Sequence, residues 1–251
     1  MKIDPHISII IVGPMDYNKF FIKCIKSYLN QSFKNFEIVL IIWGHKKIKE
    51  IKELMKRTKI NTKQIKFIKY FGNPGYARGN NLGVVRSEYN YILISNPDVV
   101  VPRDFLKKLV ESYFWLKELK NERIILGPRI CNIDSEYQHS RRNINFLGFS
   151  NIDTSKTNKI LRTEVTSGCA FLLEKELFKN LGGFDESYFM YHEDIDFSVR
   201  ALKNSIKQYV NNSIRILHLR DSKKIKLNKF KYYYHERNRI KFTLEHSTKH
   251  I

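Results

Sequence analysis

Residues 91–98 read YILISNPD, and this stretch decides how the rest of the chain is interpreted. The segment Tyr91–Ser95 is apolar and has the length of a buried strand. Pro97 has no backbone N–H to donate to a strand ladder, so the strand must end there. Asp98 therefore follows the carboxyl end of a predicted buried strand, which is where open α/β sheets bind their ligands.

Apolar runs and amphipathic stretches alternate on the N-terminal side of this segment. They predict strands at Ile7–Val12, 36–43 and 65–71, and helices at 18–29, 46–57 and 76–86. Such alternation is typical of βαβ units. We therefore expect an α/β fold with a mostly parallel, Rossmann-like sheet flanked by helices.

The C-terminal side continues the pattern after an interruption. A helix is predicted from 102 to about 119 and a short strand at 124–127, whereas 128–162 is polar, basic and weakly periodic. We interpret 128–162 as an irregular excursion over one face, where a variable partner would be recognised. Order resumes with 166–173, a helix from Glu174, a helix at 192–204 and a strand at 208–217. The chain is expected to form one domain over 1–222 and a basic, aromatic helical tail over 223–251.

Composition excludes several classes of protein. Of 251 residues, 42% are hydrophobic and 13% are aromatic, and they cluster in runs, so intrinsic disorder is not expected. The first apolar run is too short for a membrane span and has no signal-peptide pattern, which predicts a cytoplasmic protein. The three cysteines are widely spaced and include no C-x-x-C pair. A net charge of +20 favours anionic partners: nucleotide phosphates, anionic lipid or nucleic acid.

A second group of acids crowds the first turn of the helix predicted at 192–204. Glu193, Asp194 and Asp196 could be there only because the helix dipole stabilises acids at that end. The alternative is a functional pocket, since a Gly-Gly-Phe-Asp turn and several aromatic residues precede them. In such a pocket an ionised carboxylate could accept a proton from a hydroxyl group.

Three further features have two interpretations each. Asp98 either stabilises its own Asn-Pro-Asp turn or binds a hard divalent cation. The Gly-rich segment 73–83, with Arg78, offers an anion site at a helix start, although its spacing matches neither a dinucleotide fingerprint nor a P-loop. His218, at a strand end, is either a histidine at the edge of the core or a ligand of metal or phosphate.

Several of these sequence motifs occur together, and in the same order, in a known family. The sequence resembles a family 2 glycosyltransferase of the GT-A fold, in the rhamnosyltransferase-like branch. The resemblance is carried by 73–83 (NPGYARGNNLG), 93–98 (LISNPD), 167–171 (SGCAF), 182–186 (GGFDE) and 193–200 (EDIDFSVR). It extends to His218 and to 234–238 (YHERN), and so covers nearly the whole chain.

The resemblance implies transfer of a sugar from a nucleotide diphosphate donor to a hydroxyl of a saccharide or lipid-linked acceptor, with inversion, in cell-surface polysaccharide synthesis. The nucleotide-binding half would be about 1–100 and the acceptor half about 101–222. Asp98 would bind Mg²⁺ or Mn²⁺ with help from His218, and Asp194 would be the catalytic base beside Glu193. The other candidate residues are, for the donor, Asn73, Arg78, Asn80 and Asn96, with Trp43 at a position that departs from the family pattern, and, for the acceptor, Gly168, Tyr191, Asp196 and Arg200.

Two segments depart from the family pattern. The first strand usually ends in a Thr-Tyr-Asn-like segment, but 12–18 is longer here and contains Pro14. The second strand is commonly followed by an Asp-Asn-x-Ser segment, whereas here 42–46 reads IWGHK. Trp43 could stack on a base, and His45 or Lys46 could meet phosphate, but the expected acidic contact is absent. The donor nucleotide therefore stays open.

The tail supports two interpretations. Its lysines, including Lys223, Lys224 and Lys226, interleave with aromatic residues, which suits an anionic membrane surface at the inner face of the cell membrane. Alternatively, its apolar side docks on the catalytic domain and its lysines are solvated. A homodimer stays open as the assembly.

Two other functions compete with sugar transfer. One alternative is a basic module that binds nucleic acid, or a catalytically weakened one that binds nucleotides. Such a module would need a concentrated basic stripe, whereas the sequence gathers acids at the ends of a predicted strand and a predicted helix. We therefore expect no nucleic-acid partner. Nucleotidyl transfer also uses a metal at strand ends, but it lacks the usual Gly-rich, Arg- and Lys-bearing segment after the first strand.

Overall fold

The structure, a computed structural model, describes residues 5–14, 19–44, 48–132, 137–139, 141–145, 150–153, 157–219 and 229–247. Its helices are α1 (Lys19–Leu29), α2 (Ile48–Arg57), α3 (Gly75–Arg86), α4 (Phe105–Lys120), α5 (Lys175–Asn180), α6 (Glu193–Lys203) and α7 (Lys229–Ser247). None of these described helices is long and apolar enough to cross a lipid bilayer.

The strands match the apolar runs of the sequence. They are β1 (Ile7–Val12), β2 (Phe36–Ile42), β3 (Ile65–Lys69), β4 (Tyr91–Ser95), β5 (Val99–Val100), β6 (Ile124–Cys131), β7 (Tyr137–His139), β8 (Arg141–Ile144), β9 (Ser150–Asp153), β10 (Ile160–Thr163), β11 (Ala170–Glu174) and β12 (Lys207–His218). Every residue of β1 and of β2 is buried, because helices cover both faces of the sheet at these strands.

The main sheet runs in the order β10-β12-β6-β11-β4-β1-β2-β3. The strands β3, β2, β1 and β4 are mutually parallel, and β6 is parallel to β12. This confirms the expected α/β class. The chain proceeds outward from β1 to β3 and then returns to place β4 on the other side of β1. The carboxyl ends of β1 and β4 therefore meet at a switch point in strand order, where such sheets bind ligands.

Helix α3 approaches β1 unusually closely because it carries two buried glycines. A Cβ added at Gly79 would lie 2.7 Å from Val12 Cγ2, and one at Gly83 would lie 2.2 Å from Ile10 Cγ2. Only glycine permits this spacing, since no real side chain tolerates such contacts. The close packing brings the first turn of α3 to the carboxyl ends of the parallel strands.

The second half of the sheet differs from the expectation. Strand β6 does not stop at residue 127 but continues through Pro128 to Cys131, parallel to β12. Pro128 cannot donate to the ladder, and the register of β12 shifts between Asn211 and Arg215 just beyond the pair Asn211–Pro128. The proline is thus accommodated at an irregularity, which the sequence pattern alone did not reveal.

The segment expected to be an irregular excursion, 128–162, contains several strands among its described residues. β7 pairs with β6, β8 pairs with β9 as a separate hairpin, and β10 adds an edge to the main sheet against β12. The expectation of irregular structure was therefore wrong for these parts. Short strands with polar, basic side chains leave little periodicity to detect.

Helix α7 docks beside the start of α6. Phe242 is buried in a small cluster with Val165, Tyr188 and Ile195. Asn238 is also fully buried. This confirms that one side of the tail helix docks, while Lys223, Lys224 and Lys226 lie outside the described residues.

Candidate functional site

The loop after β4 places Asp98 against the end of β12. Residues Val99 and Val100 form β5, which pairs with β12 so that Val99 lies opposite His218. The backbone N–H of Leu219 donates to the Asp98 carbonyl at 2.8 Å, and His218 Nε2 lies 3.3 Å from Asp98 Oδ1. Two residues 120 positions apart, both named by sequence reasoning, thus form one carboxylate–imidazole pair.

The segment Ser167–Cys169 connects this loop to the start of α6. The Asn96 N–H donates to the Cys169 carbonyl at 3.0 Å, and the Gly168 N–H donates to Asp194 Oδ2 at 2.9 Å. A Cβ on Gly168 would lie 3.2 Å from Asp194 Cβ, so a side chain there would crowd the carboxylate. The loop of Asp98 and the side chain of Asp194 are therefore hydrogen-bonded to two adjacent residues, Cys169 and Gly168.

Asp194 has several protein partners. Its Oδ2 also lies 3.3 Å from an Nη atom of Arg142, whose side chain is largely buried. Strand β8 carries Arg142, and its main chain is held by Thr163, which both accepts from the Arg142 N–H and donates to the Arg142 carbonyl. Sequence reasoning missed Arg142 because it lies in the stretch interpreted as irregular. The only signal was an Arg-Arg pair in a basic region.

Glu193 has a different environment from its neighbour. It is only 6% exposed, and among the described residues its Oε2 has no hydrogen-bond partner. Burial, and then the adjacent charge of Asp194, raises the pKa of Glu193 well above its ordinary value. The raised pKa favours the protonated form of Glu193 beside Asp194.

Tyr76, in the first turn of α3, completes this part of the site. Its hydroxyl donates to the Gly168 carbonyl. Burial raises the pKa of Tyr76 well above its ordinary value, so the hydroxyl stays protonated and keeps donating. Gly168 is consequently held from both sides, by Tyr76 at its carbonyl and by Asp194 at its N–H.

Asp196 and Arg200, expected at the acceptor, form an internal ion pair. Arg200 donates to Asp196 Oδ2 from Nε at 2.9 Å and from an Nη atom at 2.7 Å, and it also binds the carbonyls of Leu181 and Gly183. The other oxygen of Asp196 lies 2.8 Å from His246 Nε2 on α7. Asp196 is buried and both its oxygens are occupied, so this network joins α6 to the Gly-Gly turn and to α7.

The backbone that leads into α6 is left-handed at three residues. Phe189, Tyr191 and His192 have φ values of 63°, 68° and 70°. The Tyr191 ring lies 5.4 Å from the His235 ring, and the His192 ring lies 5.2 Å from it. Burial, followed by the charge of His235, lowers the pKa of His192 to about 4, so His192 is neutral at physiological pH.

The Gly-rich segment before α3 uses most of its donors within the protein. The Gly75 N–H donates to Asn73 Oδ1 at 2.9 Å. The N–H groups of Tyr76 and Ala77 donate to the Phe189 carbonyl at 2.6 and 3.2 Å. The helix start is thus satisfied by a carbonyl of the chain itself, which differs from the anion site that the sequence suggested.

The side chains of this segment are placed differently from one another. Arg78 Nε lies 2.6 Å from Glu186 Oε2, on the surface. Asn80 is buried and donates from Nδ2 to the Tyr76 carbonyl at 2.9 Å, while its Oδ1 has no partner among the described residues. Arg78 therefore borders the site and Asn80 lies beneath it.

Trp43 lies where the donor base was expected. It follows the last residue of β2, and its Nε1 donates to the carbonyl of Gly13, which follows β1. The ring is partly buried against the apolar cluster that contains Val12 and Ile41. Trp43 thus joins the carboxyl ends of two parallel strands, whereas His45 and Lys46 fall outside the described residues.

The chemistry of Asp98 and His218 fits a divalent cation. A carboxylate oxygen and an imidazole nitrogen are ligands for Mn²⁺, and oxygen is preferred by Mg²⁺. Ligand bonds of about 2.1 Å place two neighbouring ligands of one ion roughly 3 Å apart, which is close to the observed 3.3 Å. Two protein ligands leave positions for phosphate oxygens and water, as is common for Mg²⁺.

Two solved structures share this fold. A crystal structure of GalNAc-T7 with UDP, GalNAc and Mn²⁺ superposes with a TM-score of 0.75 over 96% of this chain and 48% of that one, at 14% identity. A crystal structure of TarS from S. aureus superposes with a TM-score of 0.60 over 86% of this chain and 37% of that one, at 16% identity. These likenesses establish the GT-A fold.

The sequence comparisons identify the family. The family model "Glycosyl transferase family 2" matches residues 9–182, more than half of the chain, so the protein belongs to glycosyl transferase family 2. The match ends before α6, so the family assignment does not depend on the acids of that helix.

Two curated relatives show how far the sequence similarity extends. The Low-salt glycan biosynthesis hexosyltransferase Agl10 of Haloferax volcanii is 27% identical over 57% of this chain and 48% of its own length. The dTDP-rhamnosyl transferase RfbF of Shigella flexneri is 24% identical over 62% of this chain and 52% of its own length. The chain thus matches about half the length of these two relatives.

Proposed function

We propose that this protein transfers a sugar, with inversion, from a nucleotide diphosphate donor to a hydroxyl of a saccharide or lipid-linked acceptor in cell-surface glycan synthesis. The observation that carries the proposal is the segment Ser167–Cys169, which hydrogen-bonds the loop of Asp98 on one side and Asp194 on the other. Family membership and the GT-A fold support the same reaction class.

Asp194 acts as the general base in this proposal. As the acceptor oxygen forms a bond to the anomeric carbon, the bond from that carbon to the donor phosphate oxygen breaks and the nucleoside diphosphate leaves. Asp194 takes the hydroxyl proton. The N–H of Gly168 and the guanidinium of Arg142 hold the carboxylate in place.

Asp98 and His218 are proposed to hold Mg²⁺ or Mn²⁺. When bound, such a cation would neutralise charge on the leaving diphosphate. The hydrogen bond from Leu219 to the Asp98 carbonyl ties the loop of Asp98 to the strand of His218, which keeps the two side chains adjacent before any ion arrives.

The donor is proposed to lie along the carboxyl ends of β1, β2 and β4. Trp43 would face the base, while Asn96 and the start of α3, with Asn73, Arg78 and Asn80, would border the diphosphate and sugar. On the acceptor side we propose contacts from Gly168 and Tyr191. Asp196 and Arg200 support α6 rather than touch the acceptor, because their charges already pair with each other.

The exposed face of α7 is proposed to rest on an anionic membrane surface. Phe230, Tyr232 and Tyr233 are about half exposed, and Lys229 and Lys231 lie among them. Aromatic and basic residues together suit the interfacial region of a membrane. A lipid-linked acceptor would be met there.

The test compares wild-type protein with Asp98→Ala and Asp194→Asn. Thermal shift with a panel of nucleotide sugars, with and without Mn²⁺, should show cation-dependent stabilisation of wild type and Asp194→Asn but not of Asp98→Ala. Asp194→Asn should lower kcat about 10²- to 10⁴-fold, the usual contribution of a general base. Glu53→Gln, an exposed acid on α2, is the matched control and should behave as wild type.

Several outcomes would contradict the proposal. Release of pyrophosphate instead of nucleoside diphosphate would favour nucleotidyl transfer. Equal stabilisation with and without Mn²⁺ would remove the cation from the assignment. If Asp194→Asn kept most of its activity, Asp194 would not be the base, and Glu193 or Asp196 would inherit the assignment.

A further inference from the structure

The segment that leads into α6 has a backbone that its own residues do not favour. Phe189, Tyr191 and His192 all have positive φ, a region that bulky L-residues rarely adopt. None of the three is glycine or asparagine, so local preference does not explain the conformation. Contacts from elsewhere in the fold must hold this segment, and it immediately precedes Glu193 and Asp194.

One side chain on α7 supplies the central contact. Asn238 is 0% exposed, and its Nδ2 lies 2.8 Å from the Tyr188 carbonyl, 2.7 Å from the Met190 carbonyl and 2.7 Å from the Tyr191 carbonyl. An amide nitrogen carries two hydrogens, so three inward-facing carbonyls share them. A buried carbonyl that loses its donor is costly, so this single amide stabilises the left-handed conformation.

Neighbouring residues of α7 reinforce the contact. The ring of Tyr234 stacks on Phe189 at 5.0 Å, and the ring of His235 lies beside those of Tyr191 and His192. Together with Asn238, these side chains reach every residue from Tyr188 to His192. We call residues 188–192 the pre-α6 segment.

The pre-α6 segment is joined to both helices that carry the site. The His192 carbonyl accepts from the Asp196 N–H at 2.9 Å within the first turn of α6. The Phe189 carbonyl accepts from the N–H groups of Tyr76 and Ala77 at the start of α3. A shift of the segment would therefore move both Asp194 and Tyr76, which hold Gly168 between them.

We propose that Asn238 is a positioning residue for Asp194: its side-chain amide fixes the pre-α6 segment and thereby sets where the carboxylate meets the acceptor hydroxyl. The assignment of Asp194 as base rests on the proposed function. Asn238 itself touches neither donor nor acceptor. Through this one buried amide, α7 helps to set the geometry of the active site.

The experiment compares Asn238→Ala with Phe242→Ala. Both variants remove a buried contact of α7, but only the first removes the donor to the three carbonyls. At a temperature below both unfolding transitions, Asn238→Ala should lower kcat about 10²-fold, the effect of displacing a catalytic group by roughly 1 Å. Phe242→Ala should lower kcat far less, and both variants should still bind nucleoside diphosphate with Mn²⁺.

Amide hydrogen exchange provides a readout that does not depend on activity. Exchange of the amides of residues 190–195 should be faster in Asn238→Ala than in Phe242→Ala, which removes packing against Tyr188 and Ile195 but keeps the amide donor to the three carbonyls. If Asn238→Ala does not fold, Asn238→Ser keeps one donor hydrogen and should show an intermediate loss of kcat with the same exchange pattern.

The proposal is overturned if both variants lose kcat equally or if exchange of residues 190–195 is the same in both. A wild-type protein that transfers no sugar but shows the expected exchange difference would refute the proposed function alone. The role of Asn238 in holding the pre-α6 segment would then stand without a catalytic consequence.

Discussion

At the scale of single residues, the adjacent acids Glu193 and Asp194 differ because their carboxyl groups have different hydrogen-bond partners. Asp194 accepts hydrogen bonds from Gly168 and Arg142, whereas Glu193 Oε2 has no partner among the residues described. Burial of a carboxyl group with an unbonded oxygen disfavours its charged form. The chain thus places an acid with a raised pKa beside a carboxylate with several donors, and this difference can be measured through stability.

Glu193→Gln should change the pH dependence of stability. The pKa of Glu193 is raised on folding, so its favourable contribution is complete below the unfolded value of about 4.5 and is lost as pH rises. Glutamine mimics the neutral acid at every pH. The unfolding midpoint of wild type should therefore fall relative to that of Glu193→Gln as pH rises above about 4.5.

The neighbouring histidine requires a control in that measurement. His192 has a pKa lowered to about 4, so it contributes stability that is lost as pH falls below about 6.5. This opposite effect is present in both proteins and cancels in the difference between their midpoints. A midpoint difference that stayed constant with pH would show that Glu193 is ionised in the folded state.

At the scale of elements, the contact between α3 and β1 decides how closely the Gly-rich segment approaches the strand ends. Two glycines, Gly79 and Gly83, replace the side chains that would separate a helix from a strand. Because β1 is central in the parallel half of the sheet, it cannot move without disturbing β2 and β4. The contact should therefore be sensitive to a single methyl group.

Gly83→Ala tests this contact. The new methyl would lie 2.2 Å from Ile10 Cγ2, and overpacking of this kind costs typically about 1–3 kcal/mol, offset in part by the gain in helix propensity of about 1 kcal/mol. We expect a lower free energy of unfolding in urea and weaker binding of nucleoside diphosphate. Val85→Ala, an exposed position on the same helix, is the control. Unchanged stability of Gly83→Ala would mean that β1 yields without cost.

At the scale of the whole molecule, the net charge of +20 favours an anionic partner. The exposed aromatic residues of α7 offer a surface that such a partner could contact. The same helix has two functions in our account, because its buried side holds the pre-α6 segment and its exposed side faces the proposed membrane. Deletion of the whole tail would confound the two. Surface substitutions separate them.

A variant with Tyr232 and Tyr233 both changed to Ser should sediment less with anionic vesicles than wild type does; Phe230 is left in place because its ring lies beside that of Phe189. Neither protein should sediment with neutral vesicles, and added salt should weaken binding of both because the attraction is electrostatic. Trp115→Ser, an exposed aromatic residue on α4, is the control. Equal sedimentation of the double variant and wild type would contradict the membrane proposal.

The sequence by itself determined the α/β class, most elements to within a few residues, and the proposed roles of Asp98, Asp194 and His218. Apolar periodicity and strand-ending residues are local properties, so they can be read along the chain. Prediction from the sequence was wrong where the rule that proline ends a strand did not hold: Pro128 lies inside β6 rather than after it.

Only the tertiary structure decided which side chains meet. Arg142 reaches Asp194 across 52 positions, Asn238 reaches Tyr191 across 47, and Asp196 is occupied by His246 across 50. These contacts bring residues of β8 and α7 to the start of α6, and no periodicity along the chain encodes such a meeting. The acids of the site were recognisable from the sequence, but what positions and neutralises them depends on packing between distant elements.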